Sequence, residues 1–186
     1  MITKGKEAYH MAITSMDAEQ AHLIRTAEAM AAAARTAPKT KGMDYIESLI
    51  LTEGELEKLA CVMEEMAAEG GPGILPRDAK CVRKSGAVLL LGIGYHRRGI
   101  DAWCNYCGLG GCAACAERNA ACAFDSIDLG IALGSAVSVA ADARVDTRIM
   151  MSVGIAAKRM KLLPEGTEIV YGIPISISGK SPFFDR

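Results

Sequence analysis

Apolar positions recur along the chain in two rhythms. Over residues 20–34 (QAHLIRTAEAMAAAA), Leu23, Ala27, Met30 and Ala34 fall on one face at steps of three and four, which predicts a helix of strong helix formers. Thr14 and Asp17 stand three apart just before it in a capping-box-like spacing. Pro38 predicts its end, because proline disfavours helical geometry in the residue before it. Residues 45–51 (YIESLIL) read as a strand, and Thr52-Glu53-Gly54-Glu55 then opens a helix that runs to Ala68. Residues 70–73 (GGPG) read as a loop, and 80–84 lead into 86–94 (GAVLLLGIG). That continuous apolar run is short, and it predicts a central strand covered on both faces. Asp125 and Ser126 offer caps to a long helix over 127–141, apolar almost all round and therefore expected to be buried. Within it Gly130, Gly134 and Ser135 replace bulk and let a second backbone approach, as at a dimer interface. Residues 148–153 read as a strand, 154–162 as a short helix, and 168–175 (EIVYGIPI) as the last strand before a tail over 176–186. Strands and helices alternating this loosely predict an α+β fold, a small mixed or antiparallel sheet covered by helices.

The segment 103–122 (WCNYCGLGGCAACAERNAAC) follows neither rhythm. Five of the seven cysteines lie in it: Cys104, Cys107, Cys112, Cys115 and Cys122. Thiolates this close in sequence converge on one soft metal centre at little cost in loop entropy. Gly108, Gly110 and Gly111 stand where a chain wrapping a small cluster needs positive φ and close backbone approach. Structural zinc knuckles are usually a dozen or more residues apart, whereas four residues separate Cys107 from Cys112. Cys107, Cys112 and Cys115 reproduce the plant-type ferredoxin spacing, with a more distant fourth ligand. The preferred set is Cys104, Cys107, Cys112 and Cys122, which resembles the C-x2-C-G-x3-C…C pattern of a separate four-iron family; Cys115 is then a spare thiol. An iron–sulfur cluster, four-iron favoured, is the first reading and structural zinc the second. Without a metal the thiols would each act as small buried hydrophobes.

Charge and composition narrow the classes. A formal net charge of −1 over 186 residues offers no basic surface for nucleic acid or an anionic membrane. The apolar run 86–94 is far too short to span a bilayer. The segment MITKGKEAYH lacks the apolar core of a signal peptide, so clustered thiols point to a reducing, cytoplasmic setting. No Ser-His-Asp arrangement is evident among three scattered histidines; His22 and His96 read as structural or incidental. The loop Lys39-Thr40-Lys41-Gly42 reads as a solvated turn, with an anion contact as its functional alternative.

Several pieces together resemble known families. The stretch CAFDSIDLGIALGSAVS, after clustered cysteines, and the tail GIPISISGKSPFFDR resemble uncharacterised bacterial and archaeal "ferredoxin domain" proteins. The element order is similar to that of FMN-dependent nitroreductases, through 34–40, 45–60, 87–92, 128–132 and 172–174 with Lys180 and Arg186. The resemblance implies one nitroreductase-like domain over 1–186 with an inserted cysteine-rich metal-binding loop. It also implies a homodimer with flavin sites at the subunit interface. Lys180 and Arg186 match the family's C-terminal basic pair, which would hold the FMN phosphate, and residues 37–40 would lie beside the isoalloxazine or ribityl chain. Residues 1–20 contain no arginine to match the family's N-terminal phosphate motif; Arg35, Lys39 and Lys41 are the charges available instead, with Thr40 between the two lysines. The function so implied is a redox enzyme or electron carrier on a small substrate. The alternative is a non-enzymatic protein whose cysteines hold zinc, or carry a cluster for delivery.

Overall fold

One antiparallel sheet organises the chain in a computed structural model that describes residues 12–184. Its strands are β1 (Ile46–Thr52), β2 (Ala87–Ile93), β3 (Asp146–Thr147) and β4 (Ile169–Ser176), in the spatial order β1-β2-β4-β3. Every pairing is antiparallel, with Leu90 opposite Leu49 on one side and opposite Gly172 on the other. The strand β2 is buried along its whole length, which explains its unbroken apolar run. Ala87, Leu89, Leu91 and Ile93 face one core, packed by α1 (Ser15–Thr36) and α5 (Ala123–Asp142). Val88 and Leu90 face a second core, closed by α2 (Gly54–Ala68), α3 (Leu75–Arg83) and α6 (Met151–Arg159). The α+β architecture is therefore as the hydrophobic pattern predicts, with the sheet antiparallel rather than mixed.

The helix α1 begins five residues before the predicted start at residue 20, because Thr14 caps it by accepting the Asp17 N–H. Three elements depart from expectation. The helix α3 lies in what reads as a connection; its apolar residues Leu75, Ala79 and Val82 span barely two turns, and Pro76 is tolerated in its first turn. A six-residue helix, α4 (Cys112–Glu117), forms inside the cysteine segment. The strand expected over 148–153 does not form: the two-residue β3 lies just before it, Met150 makes a single bridge to Gly172, and α6 starts at Met151. The cause is packing: Val153, Ala156 and Ala157 face the second core, and the Ser152 hydroxyl donates to buried Asp78 at 2.5 Å. Gly154 makes this possible, since a Cβ there would lie 1.8 Å from the Val170 carbonyl oxygen of β4.

The helix α5 starts four residues before the predicted position, with Cys122 as N-cap and Asp125 returning a carboxylate oxygen to the Cys122 N–H at 3.0 Å. Leu129, Ala132, Leu133, Ala136 and Ala140 pack toward α1 and the sheet, and the Ser135 hydroxyl donates to Ala33 O of α1. The opposite face is open rather than buried: Ile127 and Ile131 are each 42% exposed, and among the described residues nothing outside the helix backbone lies within 4 Å of where a Cβ would stand at Gly130 or Gly134. Among the described residues α5 is the helix long and apolar enough to cross a membrane by length and composition, yet one face of it is committed to the core. The tail is also anchored. Phe183 is buried in the second core and its carbonyl accepts from Arg148 at 2.9 Å.

Candidate metal centre

Beyond β2 the chain leaves the sheet through Gly94 and passes Tyr95-His96-Arg97-Arg98 into the cysteine segment. A tight turn follows Cys104: the Gly108 N–H donates to Asn105 O at 2.9 Å, and the Gly110 N–H donates to the Asn105 side chain at 2.7 Å. Gly108, Gly110 and Gly111 have φ of +74°, +87° and +140°, the conformations the spacing requires. Asp101 then fixes the start of α4 by accepting the Cys112 N–H at 3.2 Å, while its own N–H donates to Cys112 Sγ at 3.4 Å. The chain returns through Asn119, at φ +44°, to Cys122.

These turns bring Cys104, Cys107, Cys112, Cys115 and Cys122 to the wall of one cavity, shared with Arg97, Tyr106 and Phe124. All seven cysteines are free thiols. Among the described residues no three His, Cys, Asp or Glu side chains form a set that could hold a single metal ion. The donor chemistry nonetheless fits a soft metal group: five sulfurs on one cavity, glycine turns that let backbone approach, and an N–H already directed at a sulfur. The thiols differ. The Asp101 N–H, with those of Ile100 and Gly99, pulls the Cys112 thiol below its ordinary range. Burial, and then neighbouring Cys107, push Cys115 up; its S–H donates to Ala120 O at 3.3 Å.

A buried ion cluster stands beside this cavity. Arg98, 2% exposed, donates to Asp125 at 3.0 Å, to Asp128 at 2.8 Å and to His96 O at 2.5 Å. Asp125 also accepts the N–H groups of His96 and Cys122. Asp128 accepts both the Thr40 N–H and the Thr40 hydroxyl, at 3.0 and 2.8 Å, and Lys41 Nζ donates to Arg98 O. Tyr45 stacks on His96 at 3.8 Å, with Arg98 over its ring. The loop 39–42, the Arg97-Arg98 segment and the start of α5 therefore meet at one point. Sequence reasoning missed Arg97 and Arg98 as site residues and read Asp125 as a cap alone. One signal was available: Asp125 and Asp128 are the sole charges in 123–141, three apart on one helical face.

The residues expected at a flavin phosphate are not gathered in one place. Arg35 pairs with Asp44 at 2.7 Å. Lys39 is buried against the end of α1, where its ammonium donates to Ala34 O and Arg35 O at 2.6 and 2.5 Å. Burial holds its pKa below the ordinary lysine value. Thr40 and Lys41 serve the ion cluster, and Lys180 is exposed on the tail. Arg186 lies outside the described residues.

The fold is nitroreductase-like. It is similar to that of a nitroreductase with bound FMN from Desulfitobacterium hafniense, at a TM-score of 0.57 and 15% identity over 84% of this chain and 78% of that one. It is also similar to a putative NADH dehydrogenase/NAD(P)H nitroreductase from Bacteroides thetaiotaomicron, at 0.55 and 12% identity over 84% and 74%. In sequence, an uncharacterized protein of Archaeoglobus fulgidus is 48% identical over 165 residues, 84% of this chain and 88% of the relative. A family model described as "Uncharacterized protein containing a ferredoxin domain" (DUF2148) matches residues 118–186, a stretch that includes Cys122 but not the other four clustered cysteines. The chain belongs to this ferredoxin-domain family. The family description, a ferredoxin domain, supports a redox role.

Proposed function

We propose that this protein is an iron–sulfur redox protein, an FMN-linked oxidoreductase or electron carrier acting on a small substrate. The observation that carries the proposal is the convergence of five thiols on one cavity at the exit of the central strand. Cys104, Cys107, Cys112 and Cys122 are the proposed ligands of a four-iron cluster. Cys115 is the spare; its S–H is engaged with Ala120 O. Bound there, a cluster would exchange single electrons, and a flavin would convert them to two-electron chemistry. The chain's own part is positional. The glycine turns shape the loop, the Asp101 N–H supplies a donor to sulfur, and Asp125 fixes Cys122 through its N–H.

Flavin binding is proposed from the fold's likeness to a nitroreductase with bound FMN, with Lys180 and Arg186 at the phosphate and residues 37–40 beside the isoalloxazine or ribityl chain. A homodimer through the open face of α5, in a reducing cytoplasm, completes the proposal. The test is iron, sulfide and flavin analysis, with a visible spectrum, on protein prepared without oxygen. The expected result is a broad absorption near ~400 nm, lost in Cys107→Ala and kept in Cys115→Ala, because a methyl group cannot replace a thiolate ligand. A colourless protein carrying stoichiometric zinc would replace this reading with the structural-metal alternative. Bleaching by Cys115→Ala but not by Cys122→Ala would overturn the ligand set.

A further inference from the structure

We propose that Arg97 contacts the group held by the cysteines, donating its Nε–H to sulfur and favouring that group's reduced state. The inference rests on the iron–sulfur reading above. It starts from a count of donors. A guanidinium carries five N–H bonds and no acceptor. Arg97 Nη1 donates to Tyr95 O at 3.2 Å, and Nη2 donates to Cys115 O and Ala120 O at 3.2 and 3.4 Å. Those three carbonyls pin the plane of the group. Its Nε is buried and has no partner among the described residues. Buried N–H groups rarely go unpaired, so an orphan held in a rigid plane calls for an acceptor. Arg97 lines the cavity whose other walls carry the five thiols.

Arg98 provides the control. Its Nε is also unpartnered, but its guanidinium is spent on Asp125 and Asp128, and it does not line the cysteine cavity. Among the described residues Arg97 pairs with no carboxylate, so its charge lines the thiol cavity without a local counter-ion. A cluster on four thiolates is anionic. Reduction adds one electron and one negative charge, with no bond broken and no proton moved. A fixed cation and an N–H···S bond on the cavity wall stabilise the more negative state, and so raise the reduction potential.

The test compares wild type, Arg97→Gln and Arg97→Lys, prepared without oxygen and titrated with dithionite in the presence of mediators, the reduced cluster being followed by EPR. Arg97→Gln should reduce the ratio of reduced to oxidised cluster at a fixed potential about tenfold, equivalent to about 59 mV for one electron. Arg97→Lys, which keeps the charge but not the fork, should fall between the two. A change of less than about twofold in Arg97→Gln, with iron and sulfide content unchanged, overturns the inference and leaves the cluster reading intact. Wild-type protein without iron and sulfide overturns both. Should Arg97→Gln fail to assemble a cluster, 15N-arginine-labelled wild type decides. A 15N hyperfine coupling to the reduced cluster that disappears in Arg97→Lys supports the contact, and its absence overturns it.

Discussion

Replacing Arg98 with methionine should be among the most damaging single changes available to this fold. The side chains of Arg98, Asp125 and Asp128 are exposed by only 1%, 0% and 1%. Methionine fills much of the volume but leaves two carboxylates buried without their cation. Removing one partner of a buried ion pair costs about 3–5 kcal/mol, because the penalty is the stranded charge rather than the lost attraction. The surviving donors soften this: Asp125 keeps the N–H groups of His96 and Cys122, and Asp128 keeps Thr40. The variant should still fold, with its thermal midpoint lowered by roughly 6–20 °C for a chain of this size.

The penalty should also depend on pH. Burial already pushes the Asp125 carboxyl above its ordinary value of 3.8, against the pull of the His96 and Cys122 N–H groups and of Arg98. The folded state therefore holds a proton that the unfolded state has released, and stability falls as pH rises through that window. Losing Arg98 moves the upper edge of the window higher. The cost of Arg98→Met should accordingly be smaller at pH ~5 than at pH ~7. Urea melts followed by far-UV circular dichroism at both pH values, at matched metal content, provide the measurement. The triple variant Arg98→Met, Asp125→Asn, Asp128→Asn should recover part of the loss, since neutral amides tolerate burial better than unpaired charge. A penalty below about 1 kcal/mol, or one equal at the two pH values, would refute the claim that an uncompensated buried charge is what the variant creates.

Three other outcomes are expected. Gly154→Ala should destabilise by about 1–3 kcal/mol despite alanine's helix propensity, because its Cβ would lie 1.8 Å from backbone that cannot step aside; an unchanged melting temperature would mean that α6 can back away from β4. Ile131→Glu on the open face of α5 should convert the proposed dimer to monomer in light scattering, and a wild type already monomeric would dismiss that interface. Lys180→Ala with Arg186→Ala should weaken FMN binding at least about tenfold, about 1.4 kcal/mol, when measured by flavin fluorescence; an unchanged Kd would remove both residues from the phosphate site.

What could be read from the chain beforehand follows from the range of the signals. The strands β1, β2 and β4 and the helices α1 and α2 announce themselves because their periodicity or apolar run is long enough to outweigh noise. In α3 the buried set is Leu75, Asp78, Ala79, Cys81 and Val82 within nine residues behind Gly-Gly-Pro-Gly, too short and too mixed to signal a face. The run RIMMSV looks like a strand by composition, and only contact with β4 through Gly154 starts a helix within it, at Met151. The cysteines were legible because their chemistry is local: short spacings and intervening glycines. The ion cluster was not, because Thr40, Arg98, Asp125 and Asp128 come from three separated segments, and no spacing encodes which charge meets which.

Arg97 and Arg98 show how two adjacent identical residues come to do different work. One lines the thiol cavity and the other enters the carboxylate pair, so the exit of β2 serves the sulfur site and the ion cluster at once. The cysteine segment needs such fixing. Trp103 and Tyr106 are 95% and 74% exposed, and Tyr106 has the ring of Phe124 for company, 5.5 Å away. Little apolar burial holds this segment to the body. Arg97 ties it down through the carbonyls of Cys115 and Ala120, and Asp125 does so through the Cys122 N–H. Because Asp125 shares Arg98 with Asp128, and Asp128 takes both donors of Thr40, a displacement of the loop 39–42 reaches Cys122 through one unbroken path of hydrogen bonds. That path joins the proposed cluster ligand to the loop that would border a flavin. Substituting Asp128 is therefore the change most able to disturb both sites while touching no sulfur.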